Sequence, residues 1–274
     1  MFNKIKGQLL EASCQKQKNK SLKISVITVV YNSVSTIEKT IQSVLAQSYK
    51  NVEYIIIDAK STDGTLAIIE QYKDKIQIVI SEKDKGYYDG LNKGINLATG
   101  EIIGALNADD RFASNDVLEK IAATFNNNPN LESVIGDIAF ADNNNKISRY
   151  YSGSNFKPSF FKWGVMPPHP SFYCKKNTYN RLGLYDANYK LAGDFELMLR
   201  YLWKNKITFK YVPMLMVYMQ KGGKSTGSIC TNLFVNNPEV MSACKANGLN
   251  TNLFKIGMKY LLKINQFWGV KKHA

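Results

Sequence analysis

The chain is 274 residues long, 45% apolar and 21% charged, a composition that supports one large α/β domain or two small ones and excludes a disordered or fibrous protein. Its net charge is +14, but residues 1–23 and 232–274 each hold six lysines against one glutamate, so the excess sits on the ends rather than on a folded basic face, which argues against nucleic acid as a partner. No apolar run reaches the ~18–20 residues of a spanning helix, Met1–Lys23 lacks the apolar stretch of a secretion signal, and the scattered Cys14, Cys174, Cys230 and Cys244 predict neither a zinc site nor disulfides.

From Lys23 onward strand and helix patterns alternate, which predicts a mostly parallel sheet with helices on both faces. Lys23–Tyr31 reads as a buried strand. Ser35-x-x-Glu38 reads as a capping box opening a helix to Gln47. Val52–Ile57 is a second strand, followed by a helix over Asp63–Tyr72. Ile76–Ser81 is a third strand, followed by a helix over Tyr87–Ala98 that Gly100 stops. Glu101–Leu106 is the fourth strand, and Ser114-Asn115-Asp116 caps a helix reaching Phe125. Beyond residue 130 the rhythm changes. Glu132–Ala141 and Lys146–Tyr151 form a hairpin, and an aromatic, proline-rich stretch covers Phe156–Pro170. A helix over Asp194–Lys204 and a strand over Thr208–Met219 lead to a glycine-rich loop, Lys221–Ser228, and a helical end from Asn232. The organisation is a basic extension (1–22), an α/β domain (23–230) and a basic helical segment (231–274).

The carboxylates fall at the strand ends. Asp58 ends the second strand, Asp84 and Asp89 follow the third, and Asp109-Asp110 follow the fourth. Ligands of open α/β sheets bind outside the carboxyl ends of the strands. Carboxylates there suit the N–H of a base or the hydroxyls of ribose and sugars. An anionic ligand would need a divalent cation between itself and them. Strand-to-helix turns also favour Asp as caps, so each residue alone has two readings, and the set favours a site. Gly223-Lys224-Ser225 is not a P-loop, because Tyr218 stands where that pattern needs Gly, and no G-x-G-x-x-G follows the first strand.

VITVVYN (Val26–Asn32), IIIDAKSTDGT (Ile55–Thr65), DKGYYDGLNKGI (Asp84–Ile95), GALNADD (Gly104–Asp110) and AGDFELMLR (Ala192–Arg200) occur in that order. Together, over residues 23–228, they resemble the family 2 glycosyltransferases of the GT-A fold, particularly bacterial enzymes that build surface polysaccharides. The resemblance implies an inverting transferase with a nucleotide-sugar donor, a glycan or lipid-linked acceptor and a divalent metal, Mn2+ or Mg2+. It divides the α/β domain into a nucleotide-binding half (about 23–130) and an acceptor half (about 131–230). It also implies that Thr28 and Tyr31 line the base pocket, that Asp58 accepts a hydrogen bond from the base, and that Asp89 lies along the nucleotide. Asn107, Asp109 and Asp110 stand at the family's acidic motif, with Asp109 and Asp110 toward the metal and Asp194 as general base. Two positions depart from the family pattern. The usual D-x-D reads Asn107-Ala108-Asp109, and the usual Glu-Asp pair reads Gly193-Asp194. Glu196 cannot share a helical face with Asp194 and belongs either beneath the site or on the surface.

Several residues keep two readings. His169, in Pro167-Pro168-His169-Pro170-Ser171, binds diphosphate or acceptor, or is a structural hydrogen-bonder. Lys224 lies in a basic loop that either closes over a diphosphate or is ordinary surface. The aromatics between Tyr150 and Trp163 divide between core and a sugar platform. Phe254, Met258, Leu261, Ile264 and Trp268 form a helical stripe opposite Lys255, Lys259 and Lys263. That helix lies either in an anionic membrane interface or on the domain. The corresponding location is the cytoplasm, peripheral at the inner face of the plasma membrane if the basic tails engage it. The alternative function is a non-catalytic nucleotide- or sugar-binding protein on the same scaffold.

Overall fold

The structure is a computed structural model and describes residues 21–142, 144–220 and 235–262. Its centre is a mixed sheet of nine strands in the order β3-β2-β1-β4-β8-β6-β9-β5, with β7 paired on β6. The first four strands, β1 (Ile24–Val30), β2 (Val52–Asp58), β3 (Ile78–Ser81) and β4 (Ile102–Ala105), are parallel neighbours. They alternate with helices α1 (Ile37–Leu45), α2 (Thr65–Glu70) and α3 (Tyr87–Leu97). Both faces of these strands are covered, so they read as continuous apolar runs rather than alternating ones. Ile24, Val26 and Val30 face one core with Ile37, Ile41 and Ile69, while Ile27 and Val29 face the other with Leu91 and Ile95.

Helix α3 lies unusually close to β1. A Cβ on Gly94 would come within 2.5 Å of Ile27 Cγ2, and one on Gly90 within 2.7 Å of Val29 Cγ1. Two glycines four residues apart therefore form a groove for the strand, and this contact fixes the helix start that carries Tyr87, Tyr88 and Asp89.

Past β4 the sheet changes direction. A two-residue strand β5 (Arg111–Phe112) and helix α4 (Val117–Asn126) lead into the hairpin of β6 (Ser133–Ala141) and β7 (Ile147–Tyr151). Short 3₁₀ turns follow at Pro158–Trp163 and His169–Ser171. Strand β8 (Tyr173–Lys175) then inserts antiparallel between β4 and β6 and is followed by α5 (Lys176–Leu182). Helix α6 (Gly193–Met198) continues as a π turn over Leu199–Lys204, and β9 (Phe209–Gln220) runs parallel to β6. Strands β5 and β8 and helix α5 were not expected, because two- and three-residue strands carry no periodicity of their own.

Two expectations need correction. The Ser35–Glu38 capping box does not form: the helix begins at Ile37, and the Glu38 carboxylate instead accepts the Tyr72 hydroxyl at 2.8 Å. The C-terminal stripe is not one amphipathic helix over the described residues. After α7 (Asn237–Ala246) it is split between α8 (Leu253–Gly257) and α9 (Lys259–Leu262), with Phe254 78% exposed and Lys259 3% exposed. Ile256 and the Lys259 stem instead pack over Gly164, where a Cβ would stand 3.1 Å from Ile256 Cγ2, so the domain sets the buried face. Ile264 and Trp268 lie outside the described residues, as do Lys221–Ser228 and Lys224. Among the described residues no helix is long and apolar enough to cross a membrane.

Candidate active site

The parallel register sets Val30, Asp58 and Ser81 level with one another, so the loops that follow share one edge of the sheet. Hydrogen bonds stitch two of these loops together. The Asn32 N–H donates to Ser61 Oγ (2.9 Å), and the Thr62 N–H donates to Asn32 Oδ1 (2.9 Å). The Ser33 N–H donates to Thr65 Oγ1 (2.8 Å) and the Val34 N–H to Asp63 Oδ2 (3.1 Å). Asn32 (φ 49°) and Lys60 (φ 64°) are held in the left-handed region, which for non-glycine residues marks an over-determined turn. Tyr31, half exposed, stands on this rim.

Two of the expected donor residues lie deeper than the resemblance implies. Thr28 is fully buried, and its hydroxyl donates to the Leu106 carbonyl (2.8 Å) within 3.2 Å of the Tyr54 hydroxyl. It forms the floor beneath the site rather than its lining. The Asp58 carboxylate is also fully buried and accepts from the Ser61 N–H, the Ser61 hydroxyl and the Ser81 hydroxyl. Its lone pairs hold the 58–61 turn, so a direct bond to a base would require that turn to open.

Asp89 occupies the first turn of α3, where it accepts the Lys85 N–H (3.0 Å) and lies 3.6 Å from the Lys93 ammonium. The acidic motif after β4 turns on Asn107. Its Nδ2 donates to Asp110 Oδ2 (2.8 Å), while its Oδ1 accepts the Tyr87 hydroxyl (2.5 Å). An amide can donate on one side and accept on the other, whereas an ionised carboxylate could only accept. A carboxylate at 107 would instead face that of Asp110. Burial, reinforced by the charge of Asp109, pushes the Asp110 carboxyl up to about 8, against the bonds from Asn107 and the Gln220 N–H. Asp109 is only partly buried.

The third component comes from the opposite half of the sheet. Asp194, in the first turn of α6, has Oδ1 2.8 Å from the Phe195 N–H and 3.3 Å from the Tyr88 hydroxyl, and Oδ2 3.3 Å from His169 Nδ1. The missing partner of the family's Glu-Asp pair has a steric cause. A Cβ on Gly193 would lie 2.7 Å from Tyr88 Cε2 and 2.8 Å from its Cδ2 and Cζ. The Tyr88 ring occupies that volume, stacked on Tyr185 at 5.6 Å, and its hydroxyl donates to the Leu191 carbonyl (2.9 Å). Glu239 on α7 fixes the same loop from outside by accepting the N–H groups of Lys190, Leu191 and Ala192 at 2.8–2.9 Å.

Tyr87 connects the components. Although 37% of its surface is exposed, desolvation of its hydroxyl end raises that group well above the ordinary phenol range, and the charges of Tyr185, Asp194, Asp110 and Asp109 push in the same direction. The carboxylates of the β4 end and of α6 therefore both lie within electrostatic reach of Tyr87. Glu196 resolves to a buried structural group: it pairs with Arg200 (2.9 Å) and accepts from Asn247 (3.2 Å). Of the expected aromatics, Phe161 is core, packed edge-on against Phe195 and Phe156. Sequence reasoning missed Tyr87, Tyr88 and Glu239. Tyr88 had a signal, the glycine standing where the family has a glutamate. Glu239 had none, since its partners are backbone groups about fifty residues away in the chain.

A curled mixed sheet with an acidic motif after the fourth strand and a second acid at the start of α6 is the arrangement of a GT-A glycosyltransferase. Residues 25–187 match the family model described as "Glycosyl transferase family 2", and the chain belongs to that family. A "PGL/p-HBAD biosynthesis glycosyltransferase" of Mycobacterium bovis is 24% identical over 205 residues, covering 73% of this chain and 78% of the relative. Among solved structures, S. aureus TarS 1-349 in complex with UDP-GlcNAc has a TM-score of 0.63 at 19% identity, covering 82% of this chain and 65% of that one. This chain thus matches just under two thirds of that fragment's length. The mannosyltransferase PcManGT from Pyrobaculum calidifontis, in complex with GDP-Man and Mn2+, has a TM-score of 0.63 at 14% identity, covering 97% of this chain and 80% of that one.

Proposed function

We propose that this glycosyltransferase moves a sugar, with inversion, from a nucleotide-diphosphate donor to a glycan or lipid-linked acceptor of a bacterial surface polysaccharide. The observation that carries the reading is the acidic motif after β4, where Asn107 bonds both Tyr87 and Asp110, together with Asp194 at the start of α6, whose charge reaches the Tyr87 hydroxyl. Inverting transfer needs charge stabilisation for the departing diphosphate and, opposite it, a base within reach of the acceptor hydroxyl. Asp194 is the general base that takes the acceptor proton. Tyr31 and the stitched loops after β1 and β2 form the base end, Asp89 lies along the nucleotide, and Asp58 acts through the turn it holds.

The residues fit a divalent cation. The donors at the β4 end are oxygens, the preference of Mg2+ and Mn2+, and a cation's charge offsets the burial and the neighbouring Asp109 charge that together raise Asp110. Among the described residues no cluster of three or more His, Cys, Asp or Glu exists, so the ion would be held by Asp109, with Asp110 behind it, and by the donor's own phosphates. When bound it neutralises charge on the leaving diphosphate. For the membrane partner, support comes from Leu253 and Phe254, 60% and 78% exposed beside the lysine-rich C-terminal sequence.

The test is release of nucleoside diphosphate from UDP-GlcNAc and GDP-mannose, with water or a bacterial lipid extract as acceptor. Asp194→Asn should lower turnover by about 10²–10⁴ while donor affinity changes little. Native-like turnover in that variant would remove Asp194 from the reaction. Donor binding without turnover in the native chain would favour the non-catalytic alternative.

A further inference from the structure

The near-balance of charge in the middle of the chain conceals a division. Residues 24–142 hold seventeen carboxylates against ten Lys and Arg, whereas residues 143–231 hold three against fourteen. The second half is therefore basic over folded residues as well as at its end. Three of its segments meet at one place: the 3₁₀ turn Pro158–Trp163, the π turn Leu199–Lys204 with the start of β9, and the end of α7. Between them lies an open groove of about 740 Å³, with Pro158, Leu202, Trp203, Ile207 and Phe209 as its apolar lining and Lys204 and Lys206 beside them. Lys157, Lys162, Lys210 and Lys245 are exposed on or next to the same segments. Among the described residues none of these six lysines forms an ion pair. No Asp or Glu occurs at 143–185, 197–238 or 240–274, the stretches that build this face. Two carboxylates bonded into it are engaged: Glu132 pairs with Arg181 and accepts the Thr208 N–H, and Glu196 pairs with Arg200 and accepts from Asn247. Helix α8 is seated on the same 3₁₀ turn, through the Thr251 hydroxyl on the Lys162 carbonyl (2.5 Å) and Ile256 over Gly164, and it exposes Leu253 and Phe254.

We propose that this face docks on an anionic lipid bilayer, its lysines meeting the headgroups while Trp203, Leu253 and Phe254 enter the interface. The proposal deepens the membrane reading above by moving the contact from the sequence ends to the folded second half, and it is independent of the transfer chemistry. An aromatic and aliphatic groove edged by unpaired lysines supplies both components of interfacial binding, apolar area to bury and attraction to anionic headgroups. Lysine stems lie along apolar surface while their ammonium groups stay at headgroup level. Tryptophan favours the same depth, because its apolar body carries one N–H donor. Leu253 and Phe254 offer apolar surface to acyl chains and nothing to a phosphate backbone, which separates a bilayer from a nucleic acid as the complement of the same lysines. The groove is also a site apart from the acidic one. Lys204 ends the helical segment that begins beside Asp194, and Phe209 opens the strand whose last residue, Gln220, donates to Asp110. The groove thus occupies the far ends of two elements that reach the acidic site and shares no residue with it.

Co-sedimentation of the full chain with vesicles of phosphatidylcholine and phosphatidylglycerol, against vesicles of phosphatidylcholine alone, tests this. The native protein should bind the mixed vesicles in preference to the neutral ones, with affinity falling as salt rises. Lys204→Gln combined with Lys206→Gln should weaken that binding about 25-fold, about fivefold for each lysine at the surface. Lys73→Gln combined with Lys75→Gln, the same change in charge at exposed positions of the acidic half, should leave it unaltered. Equal losses in the two pairs, or no loss in either, would place the contact in net charge or in the sequence ends and overturn the proposal. Trp203 gives a second measurement. In a Trp163→Phe, Trp268→Phe variant it is the remaining tryptophan, and mixed vesicles with brominated acyl chains should quench its fluorescence. Vesicle binding without that quenching overturns the proposal, as does binding of a single-stranded oligonucleotide through Lys204 and Lys206 with no binding of vesicles. If the native chain turns over neither UDP-GlcNAc nor GDP-mannose, the transferase reading fails on its own, and the vesicle measurements still decide the docking face.

Discussion

The glycine that breaks the family's acidic pair is a steric consequence of Tyr88, and this makes the two positions interdependent in a measurable way. A Cβ on residue 193 would approach the Tyr88 ring to 2.7 Å, about 0.8 Å inside a normal carbon–carbon contact. The ring cannot move aside freely, being 5% exposed, stacked on Tyr185 and bonded to Leu191. Overpacking of this kind costs about 1–3 kcal/mol. Replacing glycine by alanine within a helix returns about 0.5–1 kcal/mol, and Gly193 has no positive φ to forbid it. Gly193→Ala should therefore destabilise the native protein by about 0.5–2 kcal/mol. In a Tyr88→Ala background, itself costing about 3–5 kcal/mol, the same change should become stabilising. Urea denaturation of the four proteins gives the coupling from midpoints at constant slope. A coupling of about 1–3 kcal/mol is expected. Additivity within about 0.5 kcal/mol would refute the account of why glycine stands at 193.

Glu239→Ala should leave the N–H groups of Lys190, Leu191 and Ala192 without their carboxylate. A loss of about 2–3 kcal/mol in denaturation should accompany lower donor turnover, because that loop delivers Asp194; unchanged stability would contradict the role. Glu53 gives the acid dependence. Burial raises its carboxyl, but bonds from Lys23, Ser25 and Thr99 outweigh this and bring it down to about 2 from an ordinary 4.5. Its stabilisation is complete above about pH 4.5 and is lost as pH falls toward 2. Glu53→Gln should be less stable than the native protein at neutral pH and converge with it toward pH 2; a constant difference across that range would refute the assignment.

The first half of the molecule was legible because each strand and helix there carries its own period. Lys23–Tyr31 became Ile24–Val30, and Tyr87–Ala98 became Tyr87–Leu97. The position of Asp58 at the end of β2, of Asp89 in the helix after β3, and of Asp109 and Asp110 in the turn after β4 was likewise readable from spacing. What escaped depends on contacts distant in sequence. Whether Thr28 or Asp58 faces a ligand or the sheet interior is decided by Leu106, Ser61 and Ser81. Whether Phe254 or Ile256 is buried is decided by Gly164, about ninety residues earlier. The His169–Asp194 contact joins two segments that a motif search treats separately.

The central claim is that the acidic site at the β4 end and α6 binds a nucleotide-sugar donor through its diphosphate. The most direct measurement is a calorimetric titration of UDP, GDP and dTDP, each with and without Mn2+, into the native protein. One nucleotide should bind tightly and in a manner dependent on manganese, while manganese alone should bind weakly, because the described residues offer it no three-ligand cluster. No binding of any nucleotide under either condition would contradict the account.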